Sequence, residues 1–502
     1  MAAQYVLPFQ LAAERASTGL TAMAGLPVYL ELAHVAGVWR SVAAQVHTGR
    51  DTQGYSDAEM VLALILLVIA GGECVDDLDR LERDDGLRLL MMRLQWHGLR
   101  RPERRELERR WRKSQSRAFP SPSAMRRWLV WFHNDAAERE REPGRAFIPP
   151  PVAALAGLAR VNVDLMAFLQ RHRSSAMATL DMDATLVETT KREALYCYKG
   201  FAAYQPLNVW WAEQRAVVHS EFRDGNVPAG HQQLRVLREA LAQLPDGVDK
   251  VRMRSDSAGY QWDLLRFCAE GRDERFGTID FAVSADVTGA FRRGLVETPG
   301  LTWHAVAPGS DHEWAEVCFV PEDAARSKDG PTYRFLAIRE PLRQLTLWTD
   351  DQQLSFQTLT ARDSAGRERP YKLFALVTNM TGDGGEIIRW NRERCGASEL
   401  AHAVMKHDLS GGKLPSKYFG ANAAWWSIMI LAMNLDAVMR QLALPKPWAR
   451  RRMKAMRFHL VHVAGRVVHH AGGLWLRVSH RGLSLLSDAR LAIARLAALP
   501  AG

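Results

Sequence analysis

Two aspartates lie one residue apart in the apolar stretch "TLDMDATLVE", residues 179–188, and could together bind a cation. Successive side chains of a β-strand point to opposite faces, so Asp181 and Asp183 would share one face and their apolar neighbours the other. Two like charges this close either lie on the solvated face of an edge strand or are offset by a bound cation. This stretch by itself favours neither interpretation.

Two further acidic residues occupy positions at which carboxylates often meet ligands. Asp256 ends the predicted strand in "VRMRSDSAG", and open α/β sheets bind ligands at the carboxyl ends of their strands. Glu399 lies in the predicted helix "RCGASELAHAVMKHD", where His402 and Lys406 follow on the same face. Such a carboxylate could coordinate a cation while its neighbours contact a phosphate. Taken singly, each acid is more simply explained as part of a solvated surface.

The three acids belong to motifs that follow one another in a definite order. D-x-T lies on a first strand, R-x-D-S on a fourth strand and E-x6-K on a later helix. "TLDMDAT", "VRMRSDSAGY", "FALVTNM" and "RERCGASELAHAVMKHDL" together resemble the DDE transposases of bacterial insertion sequences, in particular the insertion-sequence family numbered thirteen-eighty. The resemblance runs from about residue 175 to about residue 440. It depends mainly on the last motif, whose length makes it specific.

This resemblance implies a catalytic and metal-binding triad of Asp183, Asp256 and Glu399. Cleavage of a phosphodiester then uses Mg²⁺, expected here as two ions about 4 Å apart that stabilise the attacking and leaving oxygens, and Mn²⁺ can substitute. Mg²⁺ prefers a few carboxylates together with water and phosphate oxygens. In this interpretation a metal offsets the paired charges of the first strand. Asp181 would support the ligand Asp183 or be a merely solvated neighbour.

Basic residues near the glutamate are candidates for contacts with DNA. The resemblance implies that Lys406 grips a phosphate near the cleaved bond, with His402 in a supporting place. Related transposases often carry the motif Y-x2-R-x3-E, but here Arg392 occupies the tyrosine place and a cysteine occupies the arginine place. The nearest arginine is Arg394, five residues before Glu399. Arg392 and Arg394 are therefore candidate DNA-binding residues without a role assigned by the motif.

The elements that would position these residues indicate an α/β fold. Three strands, a helix, a strand, a helix and a strand follow one another over residues 178–286, an order that predicts a mixed sheet. The resemblance implies a ribonuclease H-like core interrupted by a β-rich insertion. We predict a helical DNA-binding region over 1–170, the first part of the catalytic core over 171–286, the insertion over 287–388, the second part of the core with the glutamate helix over 389–445, and a basic C-terminal region over 446–502 that contains a small hairpin.

The distribution of charge favours a polyanionic partner. The net charge is +10, yet residues 100–127 alone contribute +8 and residues 446–481 contain nine Lys and Arg but no acid. Basic segments also occur on ordinary solvated surfaces, although two of them in one chain favour nucleic acid. A short helix led by Arg126 and Arg127 after a Pro/Ser turn could enter a DNA groove.

Composition and apolar patterning indicate a cytoplasmic protein, and the resemblance to DNA transposases implies that it is associated with the nucleoid. The five cysteines are scattered and form no CxxC pair, which is typical of a reducing compartment and argues against a cysteine zinc site. The longest apolar runs, residues 60–72 and 423–433, are shorter than the roughly 20 residues that cross a bilayer. No membrane association is expected.

The leading hypothesis is a cut-and-paste DNA transposase that binds the terminal inverted repeats of an insertion sequence and joins them to target DNA, as a homodimer in the DNA complex. The alternative from another class is a catalytically inactive, sequence-specific DNA-binding protein derived from a transposase. A nuclease of ribonuclease H type without strand transfer is also compatible with the acids. The intact set of three acids favours an enzyme, and the two basic segments favour binding to specific ends.

Overall fold

The computed structural model of the chain describes residues 18–49, 54–94, 100–109, 111, 117–142, 144–191, 193–321, 333–342, 358–362, 368–470 and 473–498. These residues form a mixed α/β structure with one large mixed sheet, two small sheets and many helices. Much of the basic stretch 107–117 and the predicted strand over 345–350 lie outside the described residues.

The N-terminal part is helical, as predicted, apart from one short strand. Strand β1 is Leu20–Thr21, and the helices are α1 (Leu26–Val35), α2 (Val38–Gln45), α3 (Asp57–Ala70), α4 (Leu78–Arg83), α5 (Asp85–Leu94), α6 (Arg101–Arg109), α7 (Pro122–Val130), α8 (Asp135–Arg139) and α9 (Ala153–His172). Ser56 and Glu59 form a capping box that begins α3, and Gly71 ends this helix at a φ of +89°. The Ser-x-x-Glu pattern and the following apolar run are sufficient to define this helix.

The central part of the chain forms the middle of the large sheet. Its elements are β2 (Met177–Ala184), β3 (Val187–Glu188), β4 (Leu195–Tyr196), β5 (Ala202–Tyr204), β6 (Leu207–Trp211), β7 (Ala216–Glu221), α10 (Gln233–Gln243), β8 (Lys250–Ser255), α11 (Trp262–Ala269) and β9 (Asp280–Ala285). Five of the strands are neighbours in the order β7, β6, β2, β8, β9. β8 is parallel to β2 and β9, whereas β6 is antiparallel to β2 and β7. Because β2 has a neighbour on each side, the interpretation of "TLDMDATLVE" as a solvated edge strand is wrong.

The strands over 287–388 continue this same sheet. The elements are α12 (Gly289–Glu297), β10 (His304–Ala305), β11 (Glu313–Val317), β12 (Arg334–Pro341), β13 (Thr358–Arg362) and β14 (Glu368–Thr378). β14 pairs with β9 and is followed outward by β12, β11 and β10, while β13 pairs with the far end of β14. All these pairings are antiparallel. The region predicted as an insertion therefore extends the same sheet from β9 outward.

The C-terminal part returns to helices and ends with a hairpin and a helix. Its elements are α13 (Gly384–Ala403), α14 (Phe419–Val438), α15 (Met453–Met456), β15 (Gly465–His470), β16 (Gly473–Val478) and α16 (His480–Ala498). The predicted hairpin is confirmed, since β15 and β16 pair in register and β1 adds a third strand. α14 is buried along nearly its whole length. Residues of α1, α2, α3, α9, α14 and α16 share one apolar core, so the two ends of the chain are packed together.

Among the helices that the structure describes, α9 alone is by itself long and apolar enough to cross a membrane, and α3 passes the same test only together with the segment Val75–Arg83 across a 95° bend. Both helices contribute to the shared apolar core. A core helix meets the criteria of length and composition as readily as a membrane span does.

The two faces of β2 have different neighbours. Leu180 and Met182 are buried in an apolar core with residues of α10, α11 and α12. Asp181 and Asp183 point to the opposite face, where side chains of β8 and α13 meet them. The alternation in the sequence therefore predicted correctly that both carboxylates share one face.

Candidate active site

Asp183 and Asp256 lie side by side at the carboxyl ends of two neighbouring strands. β2 and β8 are parallel, and the register that pairs Met182 with Ser255 brings the next residue of each strand to the same edge. Asp256 follows β8 directly, and its Oδ1 accepts a hydrogen bond from the backbone N–H of Ala258 at 3.0 Å. The sheet thus brings together two carboxylates that are 73 residues apart in the chain.

The electrostatics of this acidic pair favour a positive ligand. The pKa of Asp183 is raised to about 6, chiefly by burial; Arg394 opposes this rise, and the neighbouring carboxylates of Asp256 and Asp181 contribute to it. A group of like charges in a partly buried place is stabilised by a cation between them. A hard divalent ion such as Mg²⁺ binds carboxylate oxygens preferentially, so the donor set of Asp183 and Asp256 fits such an ion.

Arg394 of α13 supplies a positive charge next to the acidic pair. Its Nη1 lies 3.1 Å from Oδ2 of Asp183, and the arginine side chain is buried. The helix is fixed at its start by Asp383, which caps it, and in its middle by Asn391, whose side chain donates to the carbonyl of Ala282 in β9 at 2.9 Å. Arg394 follows Asn391 by about one helical turn and therefore faces the sheet. The candidate DNA-binding residue Arg394 thus contacts the acidic pair from inside the protein.

Asp181 forms a buried ion pair with Arg254 of β8. Arg254 Nε and Nη2 lie 2.6 and 2.9 Å from the two carboxylate oxygens, and the residues are 2% and 1% exposed. Arg254 Nη1 also donates to the carbonyl of Trp390, and its guanidinium lies 5.1 Å from the centre of the Trp390 ring. Burial raises the pKa of Asp181, an effect that Arg254 opposes. Asp181 is therefore neither solvated nor free to bind a ligand.

Arg254 is a residue that we did not predict as part of the site. It connects β2 with α13, because one guanidinium bonds the Asp181 carboxylate and the Trp390 carbonyl at once. The signal for it was present in the R-x-D-S motif, since an arginine in a strand that is otherwise buried needs an acidic partner. The partner, 73 residues earlier, could not be identified from that motif.

Glu399, His402 and Lys406 lie near the end of α13 in different surroundings. Glu399 is exposed to solvent. Burial lowers the pKa of His402 to about 4, and the positive charges of Lys406 and Arg394 contribute to that shift, so the imidazole is neutral at pH 7. Lys406 belongs to a π-helical turn, Val404–Asp408, that continues α13. Within the described residues, no group of three or more acidic, histidine or cysteine side chains is arranged to hold a metal ion.

Lys406 approaches the end of β2 that carries the acidic pair. Its Nζ lies 3.4 Å from the carbonyl oxygen of Leu186, which follows β2 by two residues. Burial and the nearby Lys199 lower the pKa of Lys406. In the part of the chain that the structure describes, Lys406 has no acidic partner. Lys406 therefore does not form the surface ion pair that would account for this residue if it bound no phosphate.

The remaining predicted arginines lie away from the acidic pair. Arg392 bonds Glu340 of β12 and lies 2.9 Å from Nδ1 of His312, so its charge is balanced by the outer strands. Arg126 and Arg127 are exposed on α7, and Arg126 forms an ion pair with Asp76. Arg126 also lines a cleft together with residues 188–191 and 412–415. This cleft passes close to Lys406, because the carbonyl of Lys406 accepts from the N–H of Gly412 at 3.0 Å.

Comparison with known proteins identifies a family model that covers most of the chain. The family model described as transposase DDE domain group 1 matches residues 9–306 and 352–499. No curated protein matches the chain in sequence. The cryo-EM structure of the piggyBac transposase synaptic complex with hairpin DNA aligns with 97% of this chain and 85% of that chain, at 10% sequence identity and a TM-score of 0.38.

Proposed function

The chain belongs to the family of group 1 DDE transposase domains, and we propose on this basis that it cleaves DNA strands at the ends of a mobile element and joins them to target DNA. The observation that carries this proposal is the position of Asp183 and Asp256 at the carboxyl ends of adjacent parallel strands. The motifs around these residues favour a bacterial insertion sequence of the family numbered thirteen-eighty.

We infer that the centre of the large sheet is a ribonuclease H-like core. The neighbour order β7, β6, β2, β8, β9, with three antiparallel strands followed by two parallel ones, supports this inference. In such a core, a hairpin precedes a crossover helix, and the acids gather at one end of the parallel strands. The positions of α10 between β7 and β8 and of α11 between β8 and β9 are consistent with it.

Asp183, Asp256 and Glu399 would hold the divalent metal that this chemistry requires. When bound, Mg²⁺ stabilises negative charge on the attacking and leaving oxygens of a phosphodiester. The acidic pair is already adjacent, whereas Glu399 is exposed to solvent on α13. Arg394 balances the charge of Asp183, and Arg254 holds α13 against the sheet.

An assay on defined DNA separates this function from its two alternatives. The substrate is a duplex that contains the terminal repeat flanking the gene, incubated with the full chain, Mg²⁺ and a supercoiled plasmid. A transposase nicks at the repeat end and joins the new 3′-hydroxyl to the plasmid. A nuclease of ribonuclease H type would cut without joining, and an inactive DNA-binding protein would bind the repeat without cutting. Either of these last results contradicts the proposed activity.

The mass of the complex with DNA tests the proposed homodimer.

Lys406→Ala is expected to lose most strand cleavage and joining while it keeps its thermal stability. The lysine lies beside the end of β2 without an acidic partner, so it can position a phosphate at the cleaved bond. A displacement of about 1 Å at a reacting group can cost on the order of a hundredfold in rate. A single-turnover assay on pre-bound ends separates this effect from affinity. The control is Lys417→Ala, since Lys417 lies in the loop before α14. Equal rates for Lys406→Ala and the parent would show that Lys406 is an ordinary surface residue.

A further inference from the structure

A cluster of exposed cations lies at the edge of the large sheet that is remote from the acidic pair. Residues 446–454, which follow α14 and run into α15, contribute Lys446, Arg450, Arg451, Arg452 and Lys454. The sheet region adds Arg173, which follows α9, and Arg215, which lies in the turn between β6 and β7. We refer to these seven residues as the basic ledge.

Hydrogen bonds join the segments of the basic ledge into one surface. Arg215 Nη1 donates to the carbonyl of Ala449 at 3.0 Å, which brings the β6–β7 turn against the 446–454 segment. Arg173 Nη1 donates at 2.8 Å to the carbonyl of Glu213 in that same turn. Arg215 has a φ of +48°, a left-handed conformation that is uncommon for a residue other than glycine. The surrounding contacts thus hold Arg215 in place at the centre of the ledge.

The positive charge of the basic ledge is not balanced within the described part of the chain. None of the seven side chains has an acidic partner there, and the carboxylate of Glu213 is turned away to accept two hydrogen bonds from Thr179. Burial lowers the pKa of Arg215, and the charges of Arg450 and Arg173 lower it further. Cations that repel one another on an open surface form a potential that attracts a polyanion. Phe458, 76% exposed, lies close by through its ring contact with His459, which in turn contacts Trp448.

The basic ledge cannot serve the same phosphate as the acidic pair. Arg173 and Arg215 lie at the beginning of β2, whereas Asp183 lies near its end. Six residues of strand separate Met177 from Asp183, which corresponds to about 20 Å. Consecutive phosphates of one DNA strand are about 3.4 Å apart along the helix axis, so about six base pairs cover this distance.

We propose that the basic ledge binds the phosphate backbone of duplex DNA away from the cleaved bond, an inference that rests on the proposed function. The contacts are to phosphates and not to base edges, because the helices that carry ledge residues between 446 and 454 are only five and four residues long, too short to enter a groove. The DNA is either the interior part of the same element end or a second duplex.

The test removes three ledge cations and measures DNA binding against salt concentration. Arg450→Gln, Arg452→Gln and Lys454→Gln are combined, since these three side chains are exposed and their loss leaves the packing intact. The slope of log K against log salt for a 40-bp end duplex should fall by about 0.9 for each lost phosphate contact. Affinity for that duplex should fall at least tenfold near physiological salt. An unchanged slope and affinity would overturn the proposal.

A matched variant controls for the loss of net charge. Arg238→Gln, Arg272→Gln and Arg293→Gln together remove three exposed charges from the side of the sheet that carries α10, α11 and α12. An equal fall in the slope for this control would show a general charge effect and overturn the proposal.

The source of the bound DNA and the proposed activity are tested separately. If the parent, saturated with a labelled 10-bp end, captures a second duplex and the ledge variant does not, the ledge binds another DNA molecule. A lower affinity of the ledge variant for the end duplex, without capture of a second duplex by the parent, assigns the ledge to the interior of the same end. Both readouts are binding measurements, so they remain interpretable if the parent fails to cleave, a failure that would contradict only the proposed activity.

Discussion

Asp256→Asn is expected to lower the single-turnover rate of strand cleavage by about a thousandfold or more, which corresponds to about 4 kcal/mol of lost transition-state stabilisation. Asparagine keeps the size of the side chain and an oxygen that can accept from the N–H of Ala258, so the turn after β8 is preserved. It removes the negative charge that the proposed metal requires. Binding of the end duplex should stay within about threefold of the parent, because DNA affinity arises mainly from phosphate contacts.

The control for this variant is Asp249→Asn. Asp249 is exposed directly before β8, at the other end of the same strand, and should change neither cleavage nor binding. Isothermal titration with Mn²⁺ in the absence of DNA adds a readout other than activity, with weaker metal binding expected for Asp256→Asn. An Asp256→Asn variant that cuts at near the parent rate would remove Asp256 from the active site.

Arg254→Met is expected to lower the free energy of unfolding by about 3–5 kcal/mol, because it leaves the carboxylate of Asp181 buried without a partner. The Asp181 side chain is almost fully buried, and Arg254 makes two hydrogen bonds to it. The variant also loses the bond from Arg254 to the Trp390 carbonyl, so α13 is held less firmly against the sheet. Urea-induced unfolding followed by tryptophan fluorescence measures the change.

Two further variants separate the ion pair from the general effect of losing an arginine. Asp181→Leu combined with Arg254→Met should be less destabilised than Arg254→Met alone, since no unpaired charge stays buried. Arg252→Met is the matched control, because Arg252 is on the same strand but about a third exposed and 3.6 Å from Asp280. Its effect should be below about 1 kcal/mol. If Arg254→Met were no less stable than Arg252→Met, the buried pair would not fix α13.

Asp181 and Asp183 show what a local sequence pattern can predict and what it cannot. The alternation of residues 179–188 predicted correctly that Asp181 and Asp183 share a face of one strand. It offered no way to decide which of them faces a ligand. The structure makes the distinction, since Asp181 pairs with Arg254 whereas Asp183 lies at the strand end beside Asp256.

The positions of helices and strands were predicted well where the residues of the element itself define it. The N-terminal helices, the strands and helices over 178–286 and the C-terminal hairpin all follow from hydrophobic periodicity and turn residues. The way in which these elements pack together was harder to predict from the sequence. The strands over 287–388 extend the central sheet, and the two ends of the chain share a core, because both arrangements depend on which distant surfaces fit each other.

Local features of the sequence predicted the residues proposed for the chemistry: carboxylates at strand ends, a long motif around Glu399, and basic segments that suit DNA. These features are local, since side-chain type and the periods of helix and strand are properties of neighbouring residues. The contact of Arg394 with Asp183 and the contact of Arg215 with the 446–454 segment are visible in the folded structure alone. Each of these contacts connects residues more than 200 positions apart. Their formation depends on the packing of whole helices on the sheet, which no local pattern encodes.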